Sequence, residues 1–272
     1  MEKKNVITVR EADGGIINME IHEALASTAA LAREYALRGY PDRYIVFSEN
    51  ILPESTGAKH KAQELRRGVH FSCILRPSIF PSQAALLGHL SVTAFVQALD
   101  EHTTHHLGIG WVSDVFCDGE RIGGVTIEGK LDSYTTYEYI IVTFDAKIDE
   151  NAFPPRLGDM VRKVFESENT SIPMIIARNV LAKFFKLYST LKSSSRFMDV
   201  YSKRFILRGK SARYIENGKR KRCKILGVEA KTGNLIIETF GRGARTEKLS
   251  SSSSVLLPKK IRLKKKEITK LA

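Results

Sequence analysis

The apolar residues of this chain recur at helical spacing in several segments, and helices are predicted over 29–38, over 83–100, from near Leu157 onward and over 171–191. The strongest signal is in 83–100, where the apolar residues would form one buried stripe: Leu87, Leu90, Ala94, Phe95 and Ala98. The first helix follows Ser27 and Thr28, either of which is a suitable N-cap, and Gly39 ends it.

Short apolar runs bounded by turn residues predict strands over 44–47, 69–75, 109–112, 115–117, 122–128 and 137–144. The Asp118-Gly119 pair between two of these runs is a strong hairpin signal. The polar stretch 48–68 is predicted to be a long loop, and loops of that length are usually functional or disordered. The alternation of strands and helices predicts an α/β domain over residues 1–192, with a mixed sheet flanked by helices.

The pattern changes after the serine-rich link Ser193-Ser194-Ser195. Five short strand candidates follow, separated by turns, at 205–207, 212–215, 223–228, 235–239 and 255–257. Five such strands in a short stretch predict a second domain over residues 200–258, a small SH3-like β-barrel. A basic tail, 259–272, completes the chain.

The formal charge of the 272-residue chain is +13, which raises the question of an anionic partner. The tail contains seven basic residues and one acidic residue, Glu267, so it carries nearly half of the excess. We interpret it as a solvated end, because neither a helix-turn-helix nor an aromatic RNA-binding motif is recognisable. A nucleic-acid partner is therefore not expected.

The sequence contains no apolar run long enough to span a bilayer and no recognisable secretory signal, so we expect a cytoplasmic protein without a membrane partner. The three cysteines, Cys73, Cys117 and Cys223, are far apart in sequence and are predicted to be buried apolar residues. Three histidines that are close together in sequence are candidates for a metal site: His102, His105 and His106. Only Asp100 and Glu101 lie near it in sequence, so a polar loop is favoured and no metal site is predicted.

Several short motifs occur in the same order as in biotin-protein ligases, a family closely related to the lipoate-protein ligases. They are Ser27-Thr28-Ala29, Leu75-Arg76-Pro77, Trp111-Val112-Ser113-Asp114, Arg121-Ile122-Gly123-Gly124 with Glu128, Phe153-Pro154, Tyr201-Ser202-Lys203-Arg204, Gly209-Lys210 and Gly233-Asn234-Leu235. No single motif is specific, but their order along residues 20–258 resembles this family. The resemblance implies a catalytic domain of the class II synthetase and biotin ligase type, followed by the SH3-like domain.

The resemblance also implies a two-step ligase. Biotin, or a related acid, would be condensed with ATP to an acyl-adenylate and then passed to a lysine of biotin carboxyl carrier protein, with Mg²⁺ assisting and a homodimer possible. Arg121 would be the catalytic residue, in place of the family's lysine. The implied ligand-binding residues are Ser27, Thr28, Gly57, Lys59, His60, Lys61, Trp111, Asp114, Gly123, Gly124 and Lys147. For Asp114 the alternatives are Mg²⁺ coordination and turn capping, and for Trp111 they are the nucleotide site and the core.

Several of the family's functional positions are altered. In the loop 57–63 one glycine survives and neither of the first two arginines is kept, although Lys59, His60 and Lys61 leave it basic. The family's Gly-Ile-Gly-Ile-Asn strand reads Thr143-Phe144-Asp145-Ala146-Lys147, and Phe144 and Lys147 are candidates to intrude on the pocket.

Three hypotheses follow for the function: an active acyl-adenylate ligase, a degenerate family member that binds a ligand or a protein without catalysis, and a nucleic-acid-binding protein. The repressor members of the family carry an N-terminal winged helix. This chain begins too close to the ligase-like motifs to hold one, so regulation of DNA by that route is not expected.

Overall fold

The structure of the chain is a computed structural model that describes residues 5–10, 16–53, 65–148, 171–193, 195–241, 243–250 and 255–257. Its residues form two compact units. The first unit contains 1–84, 101–103 and 124–181, and the second contains 85–100, 104–123 and 182–272. The loop 57–63, Phe153-Pro154, the helix predicted near Leu157 and the basic tail lie outside the described residues.

Five helices and thirteen strands are present in the described ranges. The helices are α1 (Thr28–Leu37), α2 (Pro81–Ala84), α3 (Leu87–Asp100), α4 (Ile172–Tyr188) and α5 (Ser195–Arg204). The strands are β1 (Asn5–Arg10), β2 (Ile16–Leu25), β3 (Tyr44–Ile51), β4 (Arg66–Leu75), β5 (Leu107–Gly110), β6 (Asp114–Cys117), β7 (Glu120–Leu131), β8 (Tyr137–Lys147), β9 (Ser211–Glu216), β10 (Lys219–Val228), β11 (Leu235–Thr239), β12 (Thr246–Leu249) and β13 (Val255–Leu256). None of these helices is long and apolar enough to cross a membrane.

The first unit is built on strands in the order β1-β2-β3-β4-β8-β7. Strands β2 and β3 run parallel and are joined by α1, whereas β3 with β4 and β4 with β8 are antiparallel. One face of the sheet packs against α1 through a cluster of buried residues: Ala32, Tyr35, Ala36, Tyr44, Val46, Ile74, Tyr139 and Ile141. This packing fixes the position of the N-terminus of α1 over the strands β4 and β8.

One of the short motifs has a structural role at the C-terminal end of α1. The Arg76 side chain donates hydrogen bonds to the carbonyl oxygens of Ala36 and Tyr40, each at 2.7 Å. The Ala36 carbonyl lies in the last turn of the helix, where it also accepts from the N–H of Gly39, and Arg76 adds a second donor. The Leu75-Arg76-Pro77 motif therefore stabilises the end of a helix.

The second unit contains α3, the antiparallel hairpin β5–β6 and a five-stranded antiparallel sheet in the order β12-β11-β10-β9-β13. Twelve of the fourteen residues of α3 are buried, so this helix is a central element of the core. Four of the five short strands predicted over the C-terminal region belong to this small sheet, whereas its strand β12 was not predicted. Its closure into an SH3-like barrel, and the predicted boundary near residue 192, stay predictions.

Several details differ from the sequence predictions. Strands β1 and β2 were not predicted, and β3 and β4 extend into the predicted loop 48–68. Helix α5 begins at Ser195, inside the predicted link, because Phe197, Met198 and Tyr201 lie on one side and are buried. The predicted strand 205–207 is a turn with a single bridge from Phe205 to Ile109, and Trp111 and Val112 follow strand β5 rather than belonging to it.

Candidate functional site

A chain of hydroxyl groups lies under the N-terminus of α1 in the first unit. Ser27 is the N-cap, and its Oγ accepts a hydrogen bond from the backbone N–H of Ala30 at 3.2 Å. Thr28 is buried, and its Oγ1 accepts from Ser72 Oγ at 2.9 Å. Ser72 Oγ in turn lies 2.8 Å from Thr143 Oγ1. Both predicted hydroxyls of α1 are therefore held in fixed positions before any ligand arrives.

The same face of the sheet carries a charged group that the motifs did not reveal. His70 Nδ1 lies 3.0 Å from Asp145 Oδ2, and its Nε2 lies 3.0 Å from the carbonyl oxygen of Arg66. The Arg66 guanidinium donates to the same Asp145 oxygen at 2.6 Å. Both ring nitrogens of the buried His70 thus lie within hydrogen-bond distance of an oxygen atom. We call these three residues the Asp145 cluster.

Alternation along β8 decides which of its side chains reach that face. Thr143 and Asp145 point to the side of Ser72, whereas Phe144 points to the opposite side and stacks on Phe71, with 4.6 Å between the ring centroids. The Phe144 ring is part of the core, and its intrusion on a ligand pocket stays a prediction. Lys147 is exposed at the last position of β8.

In the second unit the predicted catalytic residue, Arg121, forms an ion pair with Asp114. Arg121 Nε donates a hydrogen bond to Asp114 Oδ1 at 2.6 Å, and both side chains are partly exposed. The Asp118-Gly119 turn that precedes β7 has the two positive φ angles, 49° and 86°, that a tight hairpin requires, as the sequence predicted. This turn places Arg121 near the start of β7, where the backbone is held by the sheet.

Trp111 is a core residue of the second unit. It is buried, and its Nε1–H donates to the carbonyl oxygen of Gly233 at 2.9 Å. His89 Nε2 lies 3.1 Å from the same oxygen, while His89 Nδ1 has no partner in the described part of the chain. Burial lowers the pKa of His89 to about 4, although the hydrogen bond to Gly233 opposes that change. The structural alternative for Trp111 thus has direct support, and a role at the nucleotide site stays a prediction.

The remaining predicted ligand-binding residues are distributed as follows. Gly123 and Gly124 are buried in β7. Gly57, Lys59, His60 and Lys61 lie outside the described residues. The Asp145 cluster and Ser72 were missed by the sequence reasoning, although a signal existed: polar residues at alternate positions of otherwise apolar strands, namely His70 and Ser72 on β4, and Thr143 and Asp145 on β8.

Two of the three candidate metal-binding histidines have different partners. His102 Nε2 accepts from Asn179 Nδ2 at 3.3 Å in the first unit. His105 instead lies beside Cys117 and Asp118 in the second unit. Cys73 and Cys223 are buried as predicted, and Cys117 is half-buried. Burial, followed by the charge of Asp118, raises the pKa of the Cys117 thiol to about 11.

The sequence is similar to that of a known protein over part of its length. No family model matches the chain. The bifunctional ligase/repressor BirA of Bacillus subtilis (strain 168) is 24% identical over 174 residues, which are 61% of this chain and 52% of that protein. The chain therefore spans about half the length of this relative.

Solved structures show the same fold. The crystal structure of biotin protein ligase from Aquifex aeolicus has a TM-score of 0.61 at 15% identity, covering 88% of this chain and 97% of that one. The same ligase in complex with biotin and ATP has a TM-score of 0.58 at 16% identity, with 88% and 97% covered. A biotin protein ligase-like protein of unknown function from Silicibacter sp. TM1040 has a TM-score of 0.57 at 14% identity, with 86% and 94% covered.

The fold is accordingly that of the biotin protein ligases. The chain is thus similar in sequence to BirA over part of its length and shares its fold with biotin protein ligases.

Proposed function

We propose that this chain is a biotin protein ligase-type enzyme that activates biotin or a related carboxylic acid with ATP. In the first step an oxygen of the carboxylate attacks the α-phosphorus of ATP, which gives the acyl-adenylate and releases pyrophosphate. In the second step the amine of a carrier lysine attacks the acyl carbon, an amide forms and AMP leaves. Biotin carboxyl carrier protein is the proposed acceptor when biotin is the acid, and a homodimer is part of the same proposal.

The observation that carries this proposal is the fixed position of Arg121. Joining a carboxylate to a phosphate brings two anions together, and positive charge held in place before the reaction stabilises the transition state most effectively. Arg121 occupies the motif position of the family's lysine, and Asp114 orients its guanidinium from 2.6 Å. The two Nη nitrogens carry the remaining N–H donors of the guanidinium and are the groups proposed to meet the anionic substrate.

Asp114 as the structure places it fits Mg²⁺ poorly. Mg²⁺ binds carboxylate oxygens in a near-octahedral geometry, and one Asp114 oxygen already accepts a hydrogen bond from a cation. We therefore propose that Asp114 positions Arg121, and we assign no step of the reaction to a metal held by Asp114.

The altered β8 strand bears on the choice of acid. Thr143 and Asp145 take the positions at which the family has glycine, and their side chains lie on the face of Thr28 and Ser72. These side chains reduce the space that glycine would leave next to the backbone. We propose that the preferred acid is slimmer than biotin, for example a linear chain, and that biotin itself is a slow substrate.

A second candidate is a binding module without catalysis. The pairing of Arg121 with Asp114 favours it, because a guanidinium that is already neutralised contributes less charge to a developing anion. The likeness to a biotin protein ligase-like protein of unknown function is compatible with either candidate.

One experiment separates the two candidates. The full chain is incubated with ATP, Mg²⁺ and biotin, lipoate or octanoate in turn, and acyl-adenylate is measured by mass spectrometry while acid binding is measured by calorimetry. The enzyme proposal expects an adenylate with at least one acid, and a loss of about 100-fold or more in Arg121→Gln. Arg245→Gln is the matched control, since Arg245 is an exposed arginine also paired with carboxylates. Binding without adenylate supports the binding module, and no binding of any acid overturns both the enzyme proposal and a module that binds these acids.

A further inference from the structure

Three metal-ligating side chains that the proposed reaction does not use lie together at the open end of the β5–β6 hairpin, where β5 begins and β6 ends. His105, Cys117 and Asp118 each offer one ligand atom, and these atoms all lie within 4.8 Å of one another. All three belong to the second unit. We call them the hairpin cluster.

The backbone holds the hairpin cluster from both sides. Leu107 and Cys117 are paired in the antiparallel ladder, and the N–H of Asp118 donates to the carbonyl oxygen of His106 at 2.9 Å. Asp118 is in the left-handed region, with φ 49°, and Gly119 follows it in the turn. This turn brings the side chain of Asp118 back toward the cluster, although consecutive strand residues normally point to opposite faces.

The Asp118 carboxylate is oriented by a second contact. One of its oxygens lies 2.6 Å from His105 Nδ1, and the other accepts from the backbone N–H of His106 at 3.1 Å. Ligating carboxylates in metal sites are commonly held by an outer hydrogen bond of this kind, which leaves one oxygen for the ion. His105 Nδ1 and that oxygen are close enough for one ion to bind both after a small separation of the two groups.

An ordinary ion pair accounts for only part of this arrangement. The side chains of His105 and Asp118 are 41% and 50% exposed, and exposed pairs contribute about 0–1 kcal/mol. The ion pair does not involve the half-buried thiol of Cys117, although this thiol lies within reach of both partners.

We propose that the hairpin cluster binds a divalent transition-metal ion of the zinc type. A set of one imidazole nitrogen, one thiolate sulfur and one carboxylate oxygen suits Zn²⁺, whereas Mg²⁺ and Ca²⁺ prefer oxygen alone. Three protein ligands leave the fourth tetrahedral position to water. The thiol loses its proton on coordination, because a bound metal ion deprotonates a coordinating thiol. The site is separate from the proposed ligase chemistry and does not depend on it.

The test uses Co²⁺ as a coloured probe for the Zn²⁺ site. The full chain, reduced and freed of metal, is titrated with Co²⁺ and its absorption spectrum is recorded. We expect one Co²⁺ per chain, tetrahedral visible bands, a thiolate-to-cobalt charge-transfer band and displacement by Zn²⁺. Cys117→Ser should abolish the charge-transfer band, and His105→Ala should weaken binding by about 10-fold or more. His106→Ala is the matched control and should bind as the wild type does. In the hydrogen bonds of the cluster His106 takes part through its backbone alone.

A second measurement keeps the proposal testable if a variant fails to fold. In the wild-type chain, Zn²⁺ should protect Cys117 from alkylation, as read by mass spectrometry of its peptide. The absence of a charge-transfer band in the wild type, a band that survives Cys117→Ser, unchanged alkylation of Cys117 with Zn²⁺, or equal losses in His105→Ala and His106→Ala would each overturn the proposal.

Discussion

Arg121 Nε donates a hydrogen bond to Asp114 Oδ1 at 2.6 Å, so the cation that the family resemblance makes catalytic is oriented by the carboxylate of a second family motif. The partner of Arg121 is thus part of this chain, and the two residues act as a unit. The effects of substituting Arg121 and of substituting Asp114 are therefore not expected to be additive.

The first prediction concerns biotin transfer by the wild type and by Arg121→Lys. Losing one donor that is held in place typically costs about 10²- to 10³-fold in rate, and here several family positions have changed together. We expect biotinylation of a standard carrier domain to be very slow or absent. Arg121→Lys should not restore it, because Thr143 and Asp145 still occupy the glycine positions and the loop 57–63 keeps its altered sequence.

The measurement is carrier biotinylation with ATP, with both proteins at the same concentration. Wild-type turnover of around 0.1 to 1 per second or above would show that the substituted residues rebuild the site for biotin. The slim-acid proposal would then be wrong, although the ligase proposal would stand.

The second prediction concerns Asp145→Ala. This change removes the acceptor shared by Arg66 and the buried His70, and it leaves a ring nitrogen without its partner. We expect the free energy of unfolding to fall by about 1–3 kcal/mol in denaturant titrations. Asp199→Ala, at an exposed position of α5, serves as the control and should change stability by less than about 0.5 kcal/mol. Equal stabilities for the two variants would mean that the Asp145 cluster contributes nothing to the fold.

The third prediction is a pH dependence that originates at His89. Its pKa is lowered from 6.5 to about 4 in the folded chain, so between these values the unfolded chain binds more protons. Stability from this group is therefore fully present above about pH 6.5 and is lost as the pH falls toward 4. The expected contribution is a loss of about 2 kcal/mol between pH 7 and pH 5, at about 1.4 kcal/mol per unit of pKa.

The comparison that isolates this contribution is wild type against His89→Gln, each unfolded by denaturant at pH 7 and at pH 5. The variant should lose less stability on acidification, by about the same 2 kcal/mol, because glutamine does not titrate. His106→Gln is the control and should follow the wild type. Parallel losses in the wild type and His89→Gln would assign the acid sensitivity to other groups.

The fourth prediction compares two glycines with nearly equal backbone conformations. Gly218 and Gly233 have φ angles of 73° and 75°, so alanine at either position carries a similar backbone cost of about 1 kcal/mol. A Cβ at Gly218 would meet nothing within 4 Å, whereas one at Gly233 would lie 2.3 Å from His89 Cε1. We expect Gly233→Ala to cost about 1–3 kcal/mol more than Gly218→Ala, through overpacking around His89. Matching unfolding midpoints for the two variants would show that the His89 side chain moves aside freely.

The local patterns of the sequence determined much of the fold. Helix α3 was predicted because its apolar stripe follows the helical period, and the Asp118-Gly119 turn because few other pairs tolerate its two positive φ angles. Helix α1 was predicted with Ser27 as one of two possible N-caps, and the order of short motifs indicated the resemblance to biotin-protein ligases. These signals are local, since each depends on residues within a few positions of one another.

Only the tertiary structure decided which side chains meet. Strand alternation placed Phe144 in the core and Asp145 beside His70, and no pattern within β8 alone indicates which of its faces packs against α1. Gly233 accepts hydrogen bonds from Trp111 and His89, residues more than a hundred positions away in sequence. His105 is joined to Cys117 and Asp118 through the pairing of two strands rather than through nearness to Asp100 and Glu101. Such contacts depend on how distant segments pack, and that packing is set by the burial of apolar surface over the whole chain rather than by any short run of residues.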